Sequence, residues 1–132
     1  MTEKPHLLAI VLCERVTFDM LARRYALFGV SPAIAFNRFP AVLPPFFGYA
    51  AVSDIRSQAQ ATMRILDADG NVIFAPPVNV ALNDTDPLAE GEIVVPFMNV
   101  RVEKSGDYFV QLVIDGEPIG DRRLRVRHIV TP

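Results

Sequence analysis

The side chains best suited to chemistry in this sequence are one cysteine, two histidines, two acidic segments and a run of arginines. Cys13 is the only cysteine, and His6 and His128 lie near opposite ends of the chain. A reactive thiolate needs a neighbouring base or cation that lowers its pKa, and Arg15 is the only candidate nearby. One thiol cannot form an intramolecular disulfide or a cysteine-based zinc site. Because no motif of catalytic spacing occurs either, we expect Cys13 to lie in or beside the core, and we expect neither an enzyme nor a cofactor.

The two acidic segments could in principle bind calcium. The segment Asp67–Asn71 begins like a calcium loop, but Val78 stands where such a loop needs a bidentate Glu. The second segment covers Asn83–Gly91. Its acidic side chains, together with one just beyond it, are Asp84, Asp86, Glu90 and Glu92. An Asp-Gly hairpin turn explains the first segment and a solvated loop explains the second, so we expect no metal.

Three arginines alternate along the last predicted strand and therefore share one face. They are Arg123, Arg125 and Arg127. Such a face could bind phosphate, but the predicted hairpin register places Asp107 opposite Arg125 and Phe109 opposite Arg123. Cross-strand pairs of this kind contribute roughly 0.2–1 kcal/mol each. The net charge of −2 also gives no field for nucleic acid or anionic lipid. We therefore expect no nucleic acid and no membrane as partners, and keep the three arginines as a candidate surface for a protein.

A proline-aromatic segment, Phe39–Phe47, is apolar throughout and contains three prolines in nine residues. It should be extended and irregular, because proline cannot donate to a strand ladder. It could be a crossover that covers an open end of the fold, an exposed patch that docks a partner, or, least favoured, a proline-rich ligand of SH3 type. Its candidate contact residues are Phe39, Leu43, Pro44, Pro45, Phe46 and Phe47.

The elements that would position these side chains are strands. Eleven Pro and seven Gly separate many short apolar runs, which indicates an all-β fold. The predicted strands are Leu7–Val16, Tyr25–Val30, Ala33–Phe36, Gly48–Asp54, Ala59–Leu66, Val72–Phe74, Val78–Leu82 and Glu92–Glu103. Pro96 predicts an edge position or a bulge in the last of these strands. Thr17–Arg24 could be a short helical turn or a wide bend.

The clearest element is a closing β-hairpin within Ser105–Ile129. Alternation predicts that Tyr108, Val110, Leu112 and Ile114 face the core, and Asp115-Gly116 fits a two-residue turn. Ile119 should also face inward, and so should Leu124 and Val126. In a regular strand, however, residues an odd number of positions apart point to opposite faces. We therefore expect a β-bulge at Gly120 or Asp121.

The 132 residues are enough for one domain with one core, and we expect the first five and last three residues to be loose. The polar N-terminus and the seven-residue apolar run Leu7–Cys13 fit neither a signal peptide nor a membrane span. A cytoplasmic location is the expectation.

Several short motifs follow one another in a familiar order. They are Leu12–Val16, Leu27–Val30, Arg38–Pro40, Arg64–Asp67 before Asp69-Gly70, and Gly106–Tyr108 through Ile114–Gly116. In this order the chain, from about residue 6 to 128, resembles a family of small, uncharacterised bacterial β-sandwich proteins known only as a domain of unknown function. The resemblance implies a cytoplasmic single-domain sandwich and carries over no activity and no functional residues.

The sequence thus predicts a single-domain, antiparallel, immunoglobulin-like or C2-like β-sandwich of about seven to nine strands. We expect a non-catalytic protein-interaction module that binds an unidentified protein partner or itself. The alternatives are a C2-like calcium or lipid module that uses the two acidic segments, and a binder of a small ligand or carbohydrate. The absence of Trp weakens the carbohydrate alternative.

Overall fold

A computed structural model describes residues 5–31, 33–55, 58–82 and 91–129, and all regular structure in these residues is β. The strands are β1 (His6–Asp19), β2 (Arg24–Val30), β3 (Ala33–Phe36), β4 (Ala41–Val42), β5 (Phe46–Ser53), β6 (Ala59–Leu66), β7 (Val72–Phe74), β8 (Val80–Leu82), β9 (Gly91–Phe97), β10 (Arg101–Val102), β11 (Gly106–Ile114) and β12 (Glu117–His128). The all-β prediction is confirmed. The twelve described strands exceed the predicted seven to nine, because β4, β7, β8 and β10 have only two or three residues each.

Two main sheets and one small sheet contain these strands. The first main sheet has the order β2-β1-β5-β9, and the second has the order β3-β12-β11-β6-β7 with β8 also paired to β6. The short strands β10 and β4 form the small sheet. The predicted antiparallel sandwich is confirmed, with one exception: β3 runs parallel to β12, with Ala33 opposite Arg125.

A single apolar core lies between the inner faces of the two main sheets. The first sheet contributes Ile10, Leu12, Ala50, Val52, Ile93, Val95 and Phe97, and the second contributes Met63, Ile65, Tyr108, Val110, Leu112, Leu124 and Val126. Among the described residues no polar or charged side chain is buried. The residues predicted to face inward on β11 are all buried. Alternation therefore predicted this part of the core correctly.

The closing hairpin has the predicted register near its open end, where Asp107 pairs with Arg125 and Tyr108 with Leu124. The bulge lies one residue earlier than predicted, because Leu112 pairs with Gly120 and Val113 with Pro118, which leaves Ile119 unpaired. The Tyr108 hydroxyl donates a 2.7 Å hydrogen bond to the Lys104 carbonyl and fixes the start of β11. Burial raises the pKa of this hydroxyl, so it remains a donor.

Several predicted boundaries change. β1 continues to Asp19 and the chain turns at residues 20–23, so of the two alternatives for Thr17–Arg24 the helical turn is wrong. The predicted strand Glu92–Glu103 is two strands, β9 and β10. Pro96 lies on β9 at the edge of its sheet, as its missing N–H requires.

Candidate interaction surfaces

The proline-aromatic segment is mostly structural. Leu43 is 2% exposed and Phe46 is 6% exposed, and the Phe46 ring stacks on that of Phe97 with centroids 4.9 Å apart. Phe39 is half-buried, and its ring packs edge-on against His128 at 5.7 Å. The prediction that Leu43 and Phe46 belong to a contact surface is therefore corrected, because these side chains are buried at the open end of the core, while Phe39 packs partly against it.

The rest of the segment reaches the surface. Pro44 and Pro45 are exposed, and Phe47 is half-buried. The two prolines line a cavity of about 400 Å³ together with Cys13, Ile34 and neighbouring apolar side chains. Of the two main interpretations of this segment, the crossover fits best.

Cys13 is a buried apolar residue beside the core cluster, as predicted. It is 3% exposed, and its thiol donates a weak hydrogen bond to the Phe47 carbonyl oxygen at 3.9 Å. Burial raises the pKa of the thiol, which keeps it protonated and a poor nucleophile at neutral pH.

The predicted arginine face is on the surface. Arg125 forms the expected ion pair with Asp107, with 3.7 Å between Nε and Oδ1. Phe109 lies opposite Arg123, but the predicted contact between this ring and the guanidinium is not made. Within the described residues, Arg123 and Arg127 have no ion pair or hydrogen bond. The face is therefore only partly neutralised by its own hairpin.

Sequence reasoning missed a third surface, which we call the ribbon: residues 14–19 of β1 paired with residues 24–28 of β2. β1 pairs with β5 only up to Cys13, so beyond this residue its partner is β2 alone. Val11 lies opposite Tyr49, and Phe18, seven residues further along β1, lies opposite Tyr25. A straight strand would separate Val11 and Phe18 by about 23 Å.

The rings of Tyr25 and Tyr49 are nevertheless 5.9 Å apart, so the ribbon bends back over the outer face of its sheet. Gly29, with φ +67°, lies at the bend. This φ lies in the left-handed region that L side chains rarely adopt, so the bend favours a glycine.

The tip of the ribbon holds its two most exposed apolar side chains. Met20 is 80% exposed and Leu21 is 98% exposed. The Asp19 carboxylate accepts hydrogen bonds from the N–H groups of Leu21 (2.9 Å) and Ala22 (3.1 Å) and orders the turn. Arg23 closes the turn with φ +54°.

The outer edge of the ribbon is β2, the last strand of its sheet. From Tyr25 to Val30 this strand has no charged residue and no proline, and Phe28 and Val30 are among the exposed large apolar side chains. The Arg15 guanidinium lies 4.5 Å above the Phe28 ring and covers one side of it. Sheet edges usually carry charge or proline that blocks pairing with another chain, and β2 lacks both between these residues.

The first acidic segment forms the predicted hairpin turn. Asp67 accepts hydrogen bonds from the N–H groups of Asp69 (3.0 Å) and Asn71 (2.9 Å), and Gly70 has φ +85°. These bonds, the one from Asn71 above all, lower the pKa of the Asp67 carboxyl. In the second segment, Asp84, Asp86 and Glu90 lie outside the described residues.

Metal ligands and membrane spans are the features that bear on the other function classes. Among the residues that the structure describes, no group of three or more His, Cys, Asp or Glu side chains could hold a metal ion. No helix in the described ranges has the length and apolar character needed to cross a membrane.

The structure thus belongs to the class of β-sandwich proteins. A family model with the description "Family of unknown function (DUF6941)" matches residues 8–127, and the protein belongs to this family. The resemblance noted in the sequence is thereby confirmed as a resemblance to a domain of unknown function.

The comparison with curated proteins finds no match. Among solved structures, the chain is similar to one titled "Pseudomonas fluorescens alkylpurine DNA glycosylase AlkC bound to DNA containing an abasic site analog". The TM-score is 0.48 and the sequence identity is 14%, over 73% of this chain and 27% of that chain. The present chain therefore spans well under half the length of that protein.

Proposed function

We propose that this protein is a non-catalytic protein-interaction module that binds through the free edge of β2, and that a second copy of the chain is its partner. The observation that carries the proposal is the free edge of β2, where Tyr25 to Phe28 form a stretch with no charge and no proline before the positive φ of Gly29. Two such edges can pair around a two-fold axis, and two-fold dimers are the commonest oligomers. The exposed Met20 and Leu21 beside this edge add apolar area to the contact.

Other features support this description of the module. The hydrogen bond from Tyr108 to the Lys104 carbonyl resembles the tyrosine corner of immunoglobulin-like sandwiches, which often serve as binding modules. The buried, protonated Cys13 supports a non-catalytic role, and a chain with a single cysteine suits a reducing compartment such as the cytoplasm.

Sedimentation velocity over a range of chain concentrations tests the proposal. We expect the wild-type protein to form dimers as its concentration rises, and the variant Ala26→Lys to remain monomeric. Ala26 is an exposed residue of β2, so lysine leaves the core intact but brings like charges together between two paired edges.

The matched control is Ala81→Lys, which makes the same change at an exposed alanine of β8 in the other main sheet. This variant should dimerise as the wild type does. A wild-type protein that stays monomeric at millimolar concentration would contradict the proposal, and so would equal loss of dimer in both variants.

A further inference from the structure

A second surface, on the other main sheet, has the form of a ligand site. It is an open cavity of about 560 Å³ on the outer side of β12. Its lining includes Ala33, Phe109, Arg122, Arg123, Arg125 and Arg127. Cavities that take small ligands have volumes of roughly 300–1,000 Å³. The volume of this open groove lies within that range.

The position of β3 explains why the cavity is open. β3 pairs with β12 only from Arg125 to His128, and in the described chain no strand covers that edge of β12 before Arg125. Arg122 and Arg123 point to opposite faces of the sheet, yet both line the cavity, so it extends over the uncovered edge. Where β3 does flank the arginines, Ala33 and Ala35 stand beside Arg125 and Arg127, and their short side chains leave the guanidinium groups accessible.

The charge of the cavity is positive although the chain as a whole carries −2. The four arginines are opposed by Asp121 in the lining and by Asp107, which is paired to Arg125. Two positive charges remain, and neither Arg123 nor Arg127 has an ion-pair partner among the described residues. The half-buried Phe109, opposite Arg123 on β11, adds an apolar surface to the lining.

We infer that this cavity binds a small molecule with two or more oxyanion groups, either phosphates or carboxylates. Guanidinium groups bind both types of group through paired N–H donors, and several arginines around one cavity favour a ligand with several negative charges. Such a ligand would contact Arg123 and Arg127 and draw Arg125 away from its 3.7 Å pair with Asp107. The inference does not depend on the edge of β2, which lies in the other sheet.

Isothermal titration calorimetry at low ionic strength, with pyrophosphate and with citrate as probes, tests the inference. We expect saturable binding to one site, and the probe that binds more tightly assigns the ligand to phosphates or to carboxylates. The variants Arg123→Gln and Arg127→Gln should each weaken binding about tenfold, because each removes one charged hydrogen-bonding partner.

The control is Arg101→Gln, which removes one exposed positive charge from β10 in the small sheet. Arg101 is not part of the cavity lining and pairs with Glu103 at 3.0 Å. This variant should bind the probes as the wild type does, and so should Ala26→Lys. Amide NMR spectra of each variant establish that it is folded, and the Phe109 amide signal should shift on addition of the probe. The inference is overturned if neither probe binds at millimolar concentration, or if Arg101→Gln weakens binding as much as the cavity variants.

Discussion

At the scale of single residues, the polar side chains of this protein serve mainly to fix turns. Asp19 orders the ribbon tip and Asp67 orders the turn between β6 and β7, each by accepting two backbone N–H bonds. Each carboxylate bonds backbone N–H groups only a few residues away. The sequence could therefore indicate the role of Asp67, which lies beside the Asp-Gly pair. It did not indicate the role of Asp19, because Met20–Arg23 contains none of the usual turn residues.

The pKa of Asp67 gives a prediction about acid stability. Its carboxylate is stabilised in the folded state, mainly by the Asn71 N–H, so its folded pKa lies below its unfolded pKa. This contribution to stability is therefore present above the ordinary Asp pKa of about 3.9 and is lost as the pH falls through the folded value. A carboxyl NMR titration should give a lower midpoint for Asp67 in the protein than in an unfolded peptide of residues 64–73. An equal or higher midpoint in the protein would contradict the assigned hydrogen bonds.

Tyr108 gives a prediction about global stability. We expect Tyr108→Phe to lower the free energy of unfolding by about 1 kcal/mol, because it removes one hydrogen bond while keeping the buried ring. Urea unfolding measures this change. The control Tyr25→Phe removes a hydroxyl with no hydrogen-bond partner among the described residues, and should change stability by less than about 0.5 kcal/mol. Equal effects of the two variants would show that the Lys104 carbonyl bond does not stabilise the fold.

At the scale of elements, the strands with clean alternation between turn residues were predictable. β3, β6 and β7 have the predicted bounds, and the inward faces of β6 and β11 are those that alternation indicates. The bulge in the closing hairpin was predictable from parity, although its position at Ile119 was missed by one residue.

Other elements depend on contacts that no local pattern contains. Phe46 and Leu43 are buried because β5 begins at the end of the core, beside Phe97, and the apolar run alone could not separate this from an exposed patch. The ribbon begins where β1 stops pairing with β5. This point is set by the strand pairing of the sheet, and no pattern in β1 alone indicates it. The parallel pairing of β3 likewise joins residues about 90 positions apart in the chain.

At the scale of the whole molecule, the two main sheets differ in what they present. The first ends in an apolar, uncharged edge at β2, and the second carries a positively charged cavity along β12. The predicted arginine face is exposed, but we propose it as a small-ligand site and not as a protein-contact surface. The candidate apolar contact surface is the ribbon and not the proline-aromatic segment, because Leu43 and Phe46 of that segment are buried.

Pairing of the free edge of β2 with another polypeptide strand would change the exchange of its backbone amides with solvent, and amide hydrogen exchange measures this. In an isolated chain, alternate N–H groups of β2 donate to β1 and the others point outward from the sheet edge. We predict that these outward amides between Tyr25 and Val30 become protected from exchange as the chain concentration rises from micromolar to millimolar. They should lose this protection in Ala26→Lys. Fast exchange of these amides at every concentration would contradict the account.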